Sequence, residues 1–418
     1  RINDAGVLVD VDLCRAAMRY ASVELEEIQS RVVELTDGAI KSVRSPKMRE
    51  WVLDRVGPEA LKLMTIYKDG EQKFSIDKSV RANLLALADD DHEEVPPHVA
   101  DVIQCADDLW ASSVAKFKRL KDLADVEDHR VRGAFVFNGG AATGRFSSAG
   151  AQLQNFPRMC ASEPESVRDA MVRGEDIVPI YGRRITDVLK GMLRPAIVAP
   201  EGKVIIAPDW SGIEARVLPW LTADPVAEAT LDVFRENRDI YVSTAANMFH
   251  VAEEDVDKHQ RLLGKVAVLA CGFSGSVGAF DAMGRIYGVN LPDSDKRRMV
   301  SLWRQANPWA QPFWQDLEEA YTRAMRNIGH EFTAGRITYL FDGQHLWYAL
   351  PSGRILCYPY AKFDAEGNIT YCKAAWKPAA DATEWPRARL WVGLAAENVT
   401  QATANDLLRH SLRIMDAD

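Results

Sequence analysis

Apolar residues recur at helical spacing over residues 8–36, where Leu13, Ala16, Ala17, Tyr20, Val23, Leu25 and Ile28 form one stripe, and the spacing predicts a long helix. Further helical stretches are predicted at 46–56 and 97–125. Near residue 131 the pattern changes. RGAFVF reads as a strand, and NGGAATGRFSSAGAQLQNFPR after it has no helical period. A long irregular stretch inside a compact protein is often functional. Residues 203–208 read as a buried strand that opens VIIAPDWSGIEARVLPWL, whose second half is an amphipathic helix. Helices are predicted at 224–236, 240–249, 257–271 and 293–328, with a break before Pro308. Gly272, Gly275 and Gly278 mark a helix end and a loop. Beyond 332 the segments ITYLF, HLWYAL and RILCYPY read as strands, and a last helix is predicted at about 395–415. Strands, a helical insertion and strands again predict an α+β protein with its helices grouped to one side.

Composition narrows this picture. The 418 residues are 47% hydrophobic and 27% charged, ordinary values for a globular protein with room for more than one folded unit. No apolar run approaches the roughly 20 residues that span a bilayer. The chain begins RINDAGVLVDVD, without an initiator Met or an apolar signal core, as expected of a piece of a longer protein. The six cysteines lie far apart with no CxxC, and the histidines form neither HxxxH nor HExxH, which argues for free thiols and against zinc. DDDHEE (89–94) reads as a solvated acidic loop. The net charge of −9 speaks against a nucleic-acid binder, but residues 132–216 carry eleven basic and nine acidic side chains, a local +2 on an acidic body.

Four segments carry candidate chemistry. In the Gly/Ala-rich stretch, Thr143, Arg145, Gln152, Gln154, Asn155 and Arg158 could hydrogen-bond a sugar-phosphate chain without reading its sequence, or line a polar surface loop. Asp209, where the predicted strand meets the helix, could hold Mg²⁺, with Glu214 beside it; alternatively Asp209 or Ser211 simply caps the helix. In HQRLLGKVAVLACGF, Arg261, Lys265 and Leu269 are spaced by four and share one face, continued by Phe273. Two cations followed by apolar surface suit a nucleotide, or a helix with snorkelling cations. In ENVTQATANDLL, Glu397, Gln401 and Asn405 form a polar stripe suited to a duplex minor groove, or to solvent. AKFKRLK adds Lys116, Lys118, Arg119 and Lys121, a phosphate rail or a solvated helix face.

Taken in order, TGR…LQN.P, D.S.IE.R, R…K and ENVTQATANDLL resemble the polymerase region of family A DNA polymerases, most closely the bacteriophage-type branch. The resemblance covers most of the chain and is strongest at 134–275 and 391–410. It implies a right-hand architecture: residues 1–37 at the palm and thumb base, 38–130 the thumb, 131–235 the first part of the palm, 236–335 the fingers, and 336–418 the second part of the palm. It implies that Asp209 binds two Mg²⁺ ions with help from the Trp210 carbonyl, and that Glu214 excludes a ribose 2′-OH. Arg261 and Lys265 would bind the triphosphate, with Ser211, Tyr241, Leu269 and Phe273 also at the nucleotide. Thr143, Arg145, Gln152, Gln154, Asn155, Arg194, Arg216 and Gln401 would serve the primer-template, and Lys116, Lys118, Arg119 and Lys121 the duplex backbone. The implied partners are primer-template DNA and dNTPs, with no membrane, for a monomer acting in the cytoplasm of a bacterial host.

The sequence departs from the family pattern at Leu269, where an aromatic is usual, at Phe273, which lacks a hydroxyl, at Gly212 in place of a Gln, and at Tyr241 in place of a His. The family's second catalytic aspartate, in an HDE motif beyond the last helix, does not occur before residue 418, and Asp416 and Asp418 do not stand in that context. An exonuclease domain would precede residue 1. Two other functions compete: a primer-template binding module without chemistry, and a metal-dependent nuclease built on Asp209 and Glu214.

Overall fold

The computed structural model describes residues 1–43, 45–68, 71–110, 113–181, 184–373 and 385–417. Helices and small antiparallel sheets make an α+β fold. The chain divides into two compact units, residues 1–136 with 147–206, and residues 137–146 with 207–418.

The first unit is organised on the long N-terminal helix, Val11–Leu35, which starts where the Asp10 carboxylate accepts from Leu13 N at 2.8 Å. Its predicted stripe is real at the N-terminal half. Leu13, Cys14, Ala16 and Ala17 are buried against Phe117 and Leu120 of Ser113–Leu123, Met171 of Pro164–Arg173, and Leu189 of Ile185–Met192. A second core gathers Met48, Val52, Leu84, Val102 and Ile103. The helix predicted over 97–125 is described as Pro97–Trp110 and Ser113–Leu123, residues 111–112 lying outside the described residues. Between 57 and 91 the sequence pattern predicts nothing, yet two helices, Pro58–Met64 and Lys78–Asp90, flank a hairpin of Thr65–Lys68 with Glu71–Phe74. The acidic loop is partly employed. Glu94 accepts from Glu59 N (2.8 Å) and Ala60 N (3.0 Å), which caps a helix whose own N-cap, Gly57, has no side chain to offer. Of RGAFVF only Phe135–Val136 is a strand, paired with Ser147–Ser148.

In the second unit, helices Lys258–Cys271, Asp293–Ala306 and Ala310–Arg326 share one core with a four-stranded antiparallel sheet. The sheet runs Glu331–Ala334, Ile337–Phe341, Leu346–Ala349, Ile355–Tyr358 in chain order, which is also its spatial order. Alternation puts Tyr339, Tyr348 and Tyr358 on the buried face. The predicted helix break is present, at Asn307 before Pro308. The glycine-rich stretch after Cys271 holds a further helix, Val277–Ile286, that three glycines concealed. The last helix, Val392–Ala417, packs on Ile213–Thr222.

One prediction fails. Residues 203–208 form no strand, and Val204, Ile205 and Ile206 are 83%, 56% and 82% exposed. An apolar extended run becomes a strand only through neighbours that pair with its backbone, and among the described residues none does.

Candidate functional site

The loop 137–146 is pinned by its own unit. The Arg354 guanidinium donates to Thr143 O (3.2 Å from each Nη) and to Ala402 O (2.7 Å). Its Nε lies 2.6 Å from Asp406 Oδ1, an ion pair outside hydrogen-bond geometry. Gly144 has φ +65, and a Cβ there would sit 2.1 Å from Arg354 Nη1, so glycine is required on both conformational and steric grounds. Its carbonyl accepts from Asn405 Nδ2 (2.8 Å) and Arg409 Nη2 (3.0 Å), and Tyr348 OH donates to Ala142 O. Thr143 is buried, its Oγ1 accepting from Arg145 N at 3.3 Å.

This clamp aims Arg145 outward and brings three of the four candidate segments together. Arg145 Nη1 donates to Gln401 Oε1 at 3.1 Å, and Gln401 Nε2 donates to Glu397 Oε1 at 3.1 Å. The Gln401 amide also lies near Glu214, where it favours the ionised carboxylate. Burial pushes the Glu214 carboxyl above its ordinary range; the Arg145 charge and the Gln401 amide oppose the shift, and the nearby Glu397 adds to it. The polar stripe on the last helix is therefore not uniform. Gln401 and Glu397 are half-buried members of this cluster, whereas Asn405 is buried and spent on the Gly144 carbonyl. Arg354, Asp406 and Arg409 were missed, because nothing in their local sequence marks an arginine that will fold back onto a distant carbonyl.

Asp209 lies in the exposed, unpaired segment, with Trp210 49% exposed and Ser211 exposed. The helix that follows, Ile213–Thr222, has Gly212 as its N-cap at φ +58, with no side-chain cap. Neither Asp209 nor Ser211 caps it, so the capping alternative is overturned. Arg216 Nε donates to Ser211 O at 2.8 Å, and its guanidinium lies 4.1 Å from the Phe234 ring centre. An exposed carboxylate can meet a hard cation, which completes its shell with phosphate oxygens and water. Among the described residues no group of three or more His, Cys, Asp or Glu could hold a metal ion. The donors thus fit magnesium that arrives with a phosphate ligand, not a cage built wholly of side chains.

The helix Lys258–Cys271 opens with a capping box, Asp257 with Gln260, and buries Leu263, Val266, Ala267 and Ala270. The opposite face carries Arg261, Lys265 and Leu269, none of them buried, and Phe273 continues it half-buried. Gly264 lets the Ile240–Phe249 helix approach closely, since a Cβ there would stand 2.4 Å from Tyr241 O. Tyr241 is consequently beside both cations, its ring centre 5.5 Å from the Arg261 guanidinium and 5.9 Å from Lys265 Nζ. Arg261 pairs with Asp239 at 2.6 Å. Burial alone would raise the Asp239 carboxyl; Arg261 and the N–H groups of Tyr241 and Val242 outweigh it and hold the pKa below its ordinary value. Lys265 has no ion-pair partner among the described residues and sits 4.0 Å from the Tyr287 ring centre. Burial raises the Tyr241 hydroxyl, with Tyr287 and Asp239 adding to the shift and Arg261 opposing it.

In the first unit, Gln152, Gln154, Asn155 and Arg158 are exposed, on and around the single 3₁₀ turn Leu153–Asn155. Arg194 Nε donates to Pro157 O at 2.8 Å and braces that turn. Of the AKFKRLK cations, Lys116 donates to Asn155 O and Lys121 pairs with Asp122 at 3.2 Å, which leaves Lys118 and Arg119 directed to solvent.

A model of DNA polymerase family A matches residues 11–277. The chain is 29% identical over 419 residues to a DNA polymerase of Bacillus phage SP02, covering 99% of this chain and 60% of that protein. It is 29% identical over 271 residues to DNA polymerase I of Pseudomonas aeruginosa, covering 63% of this chain and 24% of that one. The thermostable DNA polymerase I of Thermus aquaticus is 28% identical over 260 residues, 62% of this chain and 26% of that one. Its fold is similar to the POL domain of Pol1 from M. smegmatis, solved in complex with DNA primer-template and dNTP, with TM-score 0.54 and 14% identity over 96% of this chain and 53% of that one. The chain therefore spans 60% of the phage relative's length and a quarter or so of the two bacterial enzymes.

Proposed function

The chain belongs to DNA polymerase family A, and on that premise we propose that it carries out template-directed DNA synthesis, in which a primer 3′-OH attacks the α-phosphorus of a dNTP and pyrophosphate leaves. The observation that carries this reading is the cationic face of the Lys258–Cys271 helix, where Arg261 and Lys265 stand one turn apart beside Tyr241. A triphosphate would take the Arg261 fork away from Asp239 and accept hydrogen bonds from the Lys265 ammonium. Leu269 and Phe273 would offer apolar surface to sugar and base, and Ser211 would face the nucleotide. Glu214, near Gln401, would fill the space a 2′-OH needs. Arg145 and Gln401 would meet the primer terminus from one side, with Thr143 and Arg216 supporting them; in the first unit, Arg194 would brace the primer-template turn. The exposed Gln152, Gln154 and Asn155 would track sugar and phosphate, and Lys118 and Arg119 would add salt-dependent backbone contacts.

Asp209 and the Trp210 carbonyl would hold magnesium, two ions being expected, with the rest of each shell supplied by phosphate oxygens and water. Bound there, magnesium supplies charge neutralisation to the attacking and leaving oxygens. The chain's own contribution is to fix the triphosphate and the primer terminus in line. In this reading residues 1–37 lie at the palm and thumb base, 38–130 are thumb, 131–235 and 336–418 palm, and 236–335 fingers.

Primer extension with Mg²⁺ and the four dNTPs tests the proposal. Elongation that requires a template supports it. Shortening of the primer would indicate a nuclease instead. Retention of primer-template without either would indicate a binding module.

A further inference from the structure

The two cations on the Lys258–Cys271 helix are held in different ways. Arg261 is neutralised by Asp239. Lys265 has no such partner among the described residues, and its ammonium stands by two aromatic rings, with Nζ 4.0 Å from the Tyr287 ring centre and 5.9 Å from that of Tyr241. We propose that Tyr287 is a positioning residue for nucleotide binding that acts through Lys265, its ring holding the ammonium at the place where a triphosphate arrives.

The physics favours a ring over a carboxylate for this task. An aromatic face attracts the cation and restricts a flexible four-carbon stem, yet takes none of its three N–H donors. A carboxylate would have to be displaced by the incoming phosphates. Tyr287 is also well fixed. It ends the Val277–Ile286 helix, its N–H donates to Gly284 O at 2.9 Å, and Val289 N turns back to the same carbonyl at 2.8 Å. The ring is half-buried and packs against the core of the unit. No motif marks Tyr287; it lies 22 positions beyond Lys265, outside the segments that suggested nucleotide chemistry.

The proposal rests on the triphosphate role of Lys265, so its test has one arm that needs no nucleotide. In the intact chain with ¹³C-labelled lysine, the Lys265 ε-methylene, assigned by Lys265→Arg, is expected to show an upfield ring-current shift that Tyr287→Phe retains and Tyr287→Leu loses. The absence of that shift in the wild-type chain overturns the proposal. In primer extension, Tyr287→Leu is expected to raise KM for dNTP by roughly 3- to 10-fold while kcat changes less than about 2-fold, and Tyr287→Phe to behave as wild type. In a Lys265→Ala background Tyr287→Leu should add nothing. An unchanged KM, a loss confined to kcat, or an equal further loss without Lys265 overturns the proposal. If the wild-type chain extends no primer, the polymerase reading fails and the ring-current arm decides the role of Tyr287.

Discussion

Two stretches of this chain carry candidate chemistry under opposite conditions. The loop 137–146 is polar and glycine-rich, yet the carbonyls of Ala142, Thr143 and Gly144 accept from Tyr348, from Arg354, and from Asn405 with Arg409. The stretch 203–208 is mostly apolar and reads as a strand, yet it is exposed and paired with nothing among the described residues. Sequence hydrophobicity thus ranks the two in the wrong order. What orders a segment is whether its backbone groups find partners, and a half-buried arginine can supply more of them than a run of isoleucines. Arg145 and Thr143 are positioned by the protein itself, whereas no hydrogen bond or ion pair among the described residues holds the Asp209 side chain.

That contrast can be broken experimentally. Asp209→Ala should reduce primer extension by roughly a thousandfold or more while leaving the urea midpoint and primer-template affinity unchanged; a loss of stability would show that Asp209 is built into the fold after all. Arg354→Ala should do the reverse. It removes the close ion pair of Asp406, which keeps Arg409 at 3.9 Å and the Ser352 hydroxyl, and takes a donor from Thr143 O and Ala402 O, so unfolding free energy in urea should fall by about 1–3 kcal/mol, and a change well under that range would mean that the loop is not held as described. Lys265→Ala should raise KM for dNTP by about tenfold with a smaller effect on DNA affinity, measured by steady-state extension and by anisotropy.

The smallest effect concerns Glu214. Its carboxyl is raised from 4.5 by burial, so the folded state holds the proton more tightly than the unfolded chain and stability is lost as pH rises through the folded-state pKa. Glu214→Gln, which keeps shape and stays neutral, should therefore melt slightly higher than wild type at pH 7 to 8, with the difference shrinking toward pH 4. Equal melting temperatures across that range would place Glu214 in a more hydrated setting than the cluster with Gln401 implies.

Much of the fold was legible from the pattern alone. The helix at 257–271 and the alternation of ITYLF and HLWYAL are strongly periodic, and the elements stand close to their predicted bounds. The helices at 58–64 and 277–286 were hidden by their glycine, proline and charged surroundings, where local propensity argues against an element that tertiary packing then enforces. Arg261, Lys265, Glu214, Arg145 and Gln401 were visible in the sequence as candidates by residue type and spacing. Their connections were not. That Arg261 leans on Asp239, that Lys265 lies against Tyr287, and that Gln401 bonds Arg145 and lies near Glu214 depend on contacts between positions up to 256 residues apart. Sequence spacing within one element cannot encode such distances.

The close approach at Gly264 has one more consequence. With no side chain between them, the Ile240–Phe249 and Lys258–Cys271 helices meet backbone to backbone, so closely that a Cβ at Gly264 would stand 2.4 Å from Tyr241 O and 3.2 Å from Ala245 N. Any swing of the cationic face has to carry Asp239 and Tyr241 with it as one stiff lever. The arginine fork, the ammonium and the tyrosine ring are thereby held at one spacing by packing within a single unit.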